Sequence, residues 1–402
     1  MRALIVMEGT LEHGRGPLFR RLGSMADLAR RCHLAITCLA EPDATVRTCL
    51  EAGGVPYTVR PAHIEGWAVT NLDGLVAAIV ADAREWEAEL VVLDWEVWDL
   101  MRELSQALPP AGIRFATVVH AVPFLNAPAH PSGDFARDVD VRLSTEPDDA
   151  VASYIVEHAH EANEVLRRID VLAPNRCVLD YLAGYFPGVL TRLVEPGYAV
   201  EIDEIDMAEA AGEPVTFAFM AKLVREKGTH EVLAILADVC ADPGFASSRL
   251  VVIGSFEGVD ERHEFLSVAR RLGVEDRLEL TGWLNGREKY GQLKRASVFI
   301  YPPAESDTFS ICLMEALACG LPAVCADVPF IRSTYATAAV ERCRPGDIAD
   351  FAQTAVRLAR HGTAGTPFHG TRDFAAPYGS WRTVALAEAD TYGQVLGLGA
   401  PD

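Results

Sequence analysis

Two carboxylates, Asp307 and Glu315, flank the point where a short polar loop turns into an apolar helix, in residues 301–326, YPPAESDTFSICLMEALACGLPAVCA. The run reads as the end of a strand, a loop, a helix and the start of the next strand. Ile311, Met314, Leu317 and Ala318 fall on one 3.6-residue face, Asp307 or Thr308 is available as the N-cap, Gly320 ends the helix and Pro322 opens the strand. A helix start leaves backbone N–H groups, here near Ser310 and Ile311, without intrahelical partners and at the positive end of the macrodipole. That combination is an anion site, most often for phosphate. At 1.5 Å rise per residue the two carboxylates bracket it at a separation of roughly 10 Å. A ligand with hydroxyls at both ends and phosphates between them fits this layout, and a nucleotide sugar is built that way.

The elements around this stretch follow one pattern. Short β-rich runs alternate with helical ones from end to end, which predicts two α/β layers with parallel sheets. Strands are expected at Arg2–Met7, Leu34–Leu39, Tyr57–Arg60, Leu90–Asp94, Phe115–His120, Asp170–Ala173 and Arg192–Glu195, and again at Val215–Met220, Leu250–Ile253, Arg277–Leu280, Val298–Tyr301 and Ala323–Ala326. The acidic, aperiodic run between them sets the boundaries: a first domain over 1–195, a linker over 196–213, a second domain over 214–376, and a C-terminal segment over 377–402. With 402 residues, 50% hydrophobic and 23% charged, the chain has the length for two domains and the balance of a soluble globular protein. No apolar run approaches the ~20 residues of a membrane span and the first residues run directly into a strand, so a cytoplasmic protein without stable membrane association is expected. A net charge of -21 opposes nucleic acid as a partner. Nine cysteines without a C-x-x-C pair predict reduced, mostly buried thiols rather than a disulfide framework or a zinc site. His158 and His160, two apart on a helix, face different directions and are expected at the surface.

Residues 307–322 resemble the acidic-x7-Glu motif of retaining GT-B glycosyltransferases of the family 4 type. The matching positions are Asp307, the pair Phe309-Ser310, and Glu315-Ala316-Leu317-Ala318-Cys319-Gly320-Leu321-Pro322. Asp307 stands where Glu is more usual, which keeps the acceptor chemistry with a shorter reach. Ser310 stands where Gly is usual, which requires that this residue keep a negative φ. A second resemblance lies at Phe219–Gly228, FMAKLVREKG, which is similar to the family's Gly-Arg-Leu-x-x-x-Lys-Gly motif; Lys222 falls at the Arg position and Lys227 at the Lys position. Lys222 supplies a point charge without the bidentate fork of Arg.

The resemblance implies a GT-B fold, two Rossmann-like domains facing a cleft, and transfer of a hexose-like residue from a nucleoside diphosphate sugar, most simply a UDP-sugar, with retention at the anomeric carbon. Lys222 and Lys227 would hold the diphosphate without a required metal, Asp307 would orient the sugar and Glu315 the ribose. His120, at the end of FATVVH, would touch the donor sugar, although by itself it reads as a packing histidine. Gly14 and Gly16 of the loop over 9–17 would approach the donor phosphates, Gly254 would line the same side, and the turn carrying Trp283 and Leu284 would read the base. Phe309, Ser310 and Ile311 complete the donor contacts, and the C-terminal helix would cross back to the first domain, which would bind the acceptor.

For the acceptor, the acidic chain without a basic amphipathic helix points to a small soluble compound of natural-product type. Glu12 in the first loop, and Asp94, Glu96 and Asp99 at and after the end of LVVLD with Trp95 and Trp98 interleaved, place carboxylates beside aromatic faces, which suits a cationic acceptor such as an amino sugar or aminocyclitol. A solvated helix start with the Trp pair in the core explains the same residues. A GT-B nucleotide-sugar epimerase and a non-catalytic nucleotide-sugar-binding protein are the rival classes.

Overall fold

In the computed structural model, which describes residues 1–10, 16–65, 67–94, 97–126, 128, 130–200, 202, 205, 214–303, 307–361 and 368–398, the chain divides into two compact units. One is Met1–Ala199 with Trp381–Asp402, the other Val200–Ser380. Much of the expected linker, at 201, 203–204 and 206–213, lies outside the described residues.

The first unit carries strands β1 (Arg2–Met7), β2 (His33–Cys38) and β3 (Tyr57–Val59), a small antiparallel pair β4 (Ile64–Glu65) and β5 (Ala68–Val69), then β6 (Leu90–Asp94), β7 (Arg114–Val118), β8 (Asp170–Ala173) and β9 (Thr191–Leu193). Seven of them form one parallel sheet in the order β3-β2-β1-β6-β7-β8-β9. β6 is buried along its whole length: Leu90–Leu93 is the apolar run that a strand covered on both faces demands, and Asp94 at its end is buried with them. The expected strand Phe115–His120 starts one residue earlier and stops at Val118, so His120 stands beyond its end. The helix Trp381–Val395 returns to this unit, where Ala385, Tyr392 and Val395 join the core built by Ile5, Ile36 and Leu90.

The second unit carries β10 (Thr216–Met220), β11 (Arg249–Ile253), β12 (Leu278–Gly282), β13 (Val298–Tyr301), β14 (Ala323–Ala326) and β15 (Val340–Cys343) in the parallel order β12-β11-β10-β13-β14-β15. β15 was not expected, because as an edge strand it interrupts its apolar ends with Glu341 and Arg342. All nine cysteines are free, and six of them are buried. No helix among the described residues is long and apolar enough to cross a membrane.

Candidate active site

In each sheet the order runs outward in opposite directions from one pair of strands, and open α/β sheets take ligands at the carboxyl ends of that pair. In the second unit the pair is β10 and β13. Lys222 and Lys227 follow β10, and Asp307 follows β13, so both motifs stand at the position that the topology favours.

The helix Ile311–Ala318 is capped by Ser310, in place of the expected Asp307 or Thr308: the Ser310 Oγ accepts from Leu313 N at 3.2 Å. Ser310 keeps φ at -118°, so a side chain costs nothing there, and the hydroxyl satisfies one of the orphan amides of the first turn. The expected anion site moves slightly. Ser310 N donates to the Tyr335 hydroxyl at 3.2 Å, and that hydroxyl donates back to Ser310 O at 2.6 Å; with Leu313 N on the Ser310 hydroxyl, the amides of Ile311 and Cys312 head the helix. Phe309 lies between Tyr335 and Tyr378, with ring centroids 5.8 and 6.1 Å away, so the loop is anchored by aromatic packing rather than by solvent-facing polar groups.

Lys227 is in ion contact with Asp307, bringing together the cation of one motif and the first acid of the other. The glycine beside it makes this possible. Gly228 has φ +83°, and a Cβ there would meet Pro302 O at 1.9 Å, so only glycine lets the loop after β10 lie against the loop after β13. Lys222 is exposed and paired with Glu257. Its loop is drawn toward β11 because Ala221 N donates to Ile253 O at 3.2 Å and Leu223 N to Ser255 O at 3.0 Å. Gly254 serves that approach, since a Cβ would lie 1.9 Å from Ala221 O. Past β12, Trp283 is 67% exposed, and Leu284 is half-buried.

Glu315 is buried, and its Oε1 takes a contact of 2.5 Å from Lys289 Nζ on the helix Gly286–Arg295. Burial pushes this carboxyl above the usual carboxylate range; the Lys289 ammonium and hydrogen bonds from Lys289 and Tyr290 pull the other way without cancelling it. Nothing in the sequence marked Lys289, which sits among charges on an amphipathic helix and reads as solvated.

The first unit corrects several expectations. Asp94 is not at a surface but in a buried ion cluster: it accepts from Arg21 Nε at 2.5 Å, with Arg20 at 3.9 Å, while Glu388 takes Arg21 Nη2 at 2.5 Å and Arg20 Nη2 at 3.3 Å. Burial pushes Asp94 up, but Arg21, the hydrogen bond from His120 and Arg20 outweigh it and hold the carboxyl well below its ordinary value. His120 belongs to the same cluster. Its Nε2 lies 3.2 Å from Asp94 Oδ1 and its Nδ1 3.0 Å from the Tyr198 hydroxyl. An ionised carboxylate only accepts, so Nε2 carries the proton, and both ring nitrogens have partners inside the unit. Trp98 is a core residue, edge-on to Phe124 at 4.9 Å. His158, expected at the surface, is buried beside Arg102, at 3.2 Å from its Nη1, whereas His160 is exposed. Glu12, Gly14 and Trp95 lie outside the described residues; Gly16 opens the helix Gly16–Ala29. Among the described residues no group of three or more His, Cys, Asp or Glu side chains is arranged to hold a metal ion.

Comparison with known proteins bears on the second unit most directly. Residues 201–355 match the family of glycosyl transferases group 1. That range holds Lys222, Lys227, Asp307 and Glu315. Among curated relatives, the D-inositol 3-phosphate glycosyltransferase of Segniliparus rotundus is 32% identical over 151 residues, 35% of this chain and 31% of that protein. The protein of the same name from Saccharomonospora viridis is 25% identical over 297 residues, 71% of this chain and 65% of the relative. The chain thus spans less than two thirds of the length of either. Solved structures match along nearly the whole chain: Anabaena HepE in complex with UDP superposes with a TM-score of 0.71 at 16% identity, covering 98% of this chain and 100% of the other. Sucrose-phosphate synthase from Thermosynechococcus elongatus gives 0.69 at 15%, covering 99% and 100%. At such identity the likeness is one of fold. The fold is GT-B, α/β in two Rossmann-like units.

Proposed function

We propose that the chain is a retaining glycosyltransferase of the family 4 type, taking a UDP-linked sugar on the Val200–Ser380 unit and passing it to a hydroxyl of a small soluble acceptor, bound by the other unit. The observation that carries this reading is the Lys227–Asp307 contact beside the start of the helix Ile311–Ala318, with Glu315 buried further along the same helix, at the switch point of the sheet. The matched family and the printed names of the relatives support transfer, and the UDP complex of a structural neighbour supports the nucleotide.

On donor binding, Lys227 would exchange the Asp307 carboxylate for diphosphate oxygens. Lys222, Lys227 and the amides that head the helix would then face the charge that builds on the departing diphosphate, a preorganised electrostatic contribution that calls for no metal. Asp307, released, would accept hydroxyls of the sugar, and Glu315 hydroxyls of the ribose. A cationic acceptor is not part of the reading, since Asp94 and Trp98, two of the residues it rested on, are buried, and Glu12 and Trp95 lie outside the described residues. The relatives' names favour a small polyol instead.

Incubation with UDP-sugars in EDTA against a panel of polyols and their phosphates tests the reading, with the anomeric configuration of the product read by NMR. A glycoside of retained configuration is expected. Inversion, a requirement for added metal, or an epimerised donor without transfer would each overturn a part of it.

A further inference from the structure

We propose that Lys289 is a positioning residue of the donor site, which keeps Glu315 ionised and aimed as an acceptor for ribose hydroxyls without itself touching the nucleotide. The inference rests on the donor-site reading above and goes beyond it in naming what makes a buried carboxylate fit for that task.

An isolated carboxylate in an apolar site protonates rather than remain charged. Glu315 is 6% exposed, on a helix whose residues Leu313, Met314, Ala316, Leu317 and Ala318 are all buried. Once protonated, it loses acceptor capacity and gains a donor that a sugar hydroxyl does not need. Lys289, reaching Oε1 at 2.5 Å from a neighbouring helix, is the cation on this carboxylate. Tyr290 from the same helix adds a hydrogen bond. The ionisable neighbours on its own helix are Cys312 and Cys319, both pushed up to about 12, first by burial and next by Glu315, so they stay neutral near pH 7. Lys227 and Asp307 act on Cys312, and Lys294 and Arg372 on Cys319, so other charges border the helix ends, but the contact with Glu315 is made by Lys289. A carboxylate has about four lone-pair directions. Lys289, on Oε1, and Tyr290 take about two of them and leave about two for ligand hydroxyls.

Removing the charge should therefore make nucleotide binding depend more steeply on pH than it does in the intact protein. The folded-state pKa of Glu315 would rise further, and below it the affinity falls by up to tenfold per pH unit.

The test is titration of UDP, and of its 2′,3′-dideoxyribose analogue, into the full chain and its Lys289→Met, Lys289→Gln and Lys289→Arg variants between pH 5.5 and 8.5. Thermal melts establish that each variant is folded, and Lys289→Gln stands in if Lys289→Met is not. UDP binding by Lys289→Met or Lys289→Gln should weaken at least tenfold from pH 8.5 to 5.5 beyond any change in the wild type, and Lys289→Arg should restore the wild-type profile. The wild type should prefer UDP over the dideoxy analogue by tenfold or more, and the uncharged variants should lose most of that preference. A pH profile and a ribose preference unchanged in the uncharged variants would overturn the role of Lys289 alone. Absence of UDP binding by the wild type would overturn the donor-site reading and this inference with it.

Discussion

Replacing Gly228 by alanine separates the architecture of the site from its charge. Gly228 sits at φ +83°, where an L-residue costs about 1–2 kcal/mol. A Cβ would also stand 1.9 Å from Pro302 O, and ordinary contact begins near 3.4 Å, so the two loops must part by 3.4 − 1.9 = 1.5 Å. Pro302 O is backbone at the end of a central strand and does not yield cheaply, so the displaced partner is the loop that carries Lys227. A shift of that size takes the Lys227 ammonium off Asp307 and off the expected diphosphate. Misplacement of a positioning group by 1 Å costs on the order of 100-fold in rate. Gly273→Ala is the matched control: it has φ +70° with nothing within 4 Å of the added carbon, and so carries the strain without the clash. Both variants should melt about 2–8 °C lower. Only Gly228→Ala should lose kcat/KM for the donor, by about 100-fold, together with UDP affinity. Equal kcat/KM in the two variants would refute the coupling of Gly228 to Lys227.

Glu315→Gln and Lys227→Ala each remove a charged group proposed to contact the donor, a contact worth about 1.5–3 kcal/mol, and kcat/KM for the donor should fall tenfold or more in steady-state assays. Arg21→Met leaves Asp94 and Glu388 buried without their closest cation, and urea unfolding followed by circular dichroism should show a loss of about 3–5 kcal/mol. Asp94 and Glu388 are both held below their ordinary values; for Glu388, burial pushes up and Arg20 and Arg21 pull down harder. Their contribution to stability is therefore complete above an unfolded-state pKa of about 4 and is lost as pH falls below it, so the melting temperature should drop on acidification from pH 5 toward pH 2.

The parallel α/β plan was legible because strands covered on both faces are written as unbroken apolar runs, as in LVVL and VFIY. β15 escaped because Glu341 and Arg342 occupy the middle of an edge strand. In the Val200–Ser380 unit the loops that follow β10 and β13 were legible from local spacing, since Lys227, Gly228, Asp307 and Ser310 owe their places to the strands immediately before them. Glu257 and Lys289 were not: each meets its partner across the fold from a segment whose composition is that of a solvated surface. The same blindness runs in reverse at Asp94 and His120. A carboxylate and an imidazole at strand ends look like ligand contacts until Arg20 and Arg21, distant in sequence, are found to pair with Asp94 in the core, and Asp94 and Tyr198 to hold His120 there. Adjacent arginines in FRRLG carry no local sign of complete burial.

A crystal structure with UDP bound decides whether this site takes the donor. The diphosphate should lie at the start of the helix Ile311–Ala318 with Lys227 turned from Asp307 onto its oxygens, and both ribose hydroxyls on Glu315 while Lys289 keeps its place. UDP bound elsewhere, or bound with Lys227 still on Asp307 and no hydroxyl on Glu315, would contradict the donor-site reading.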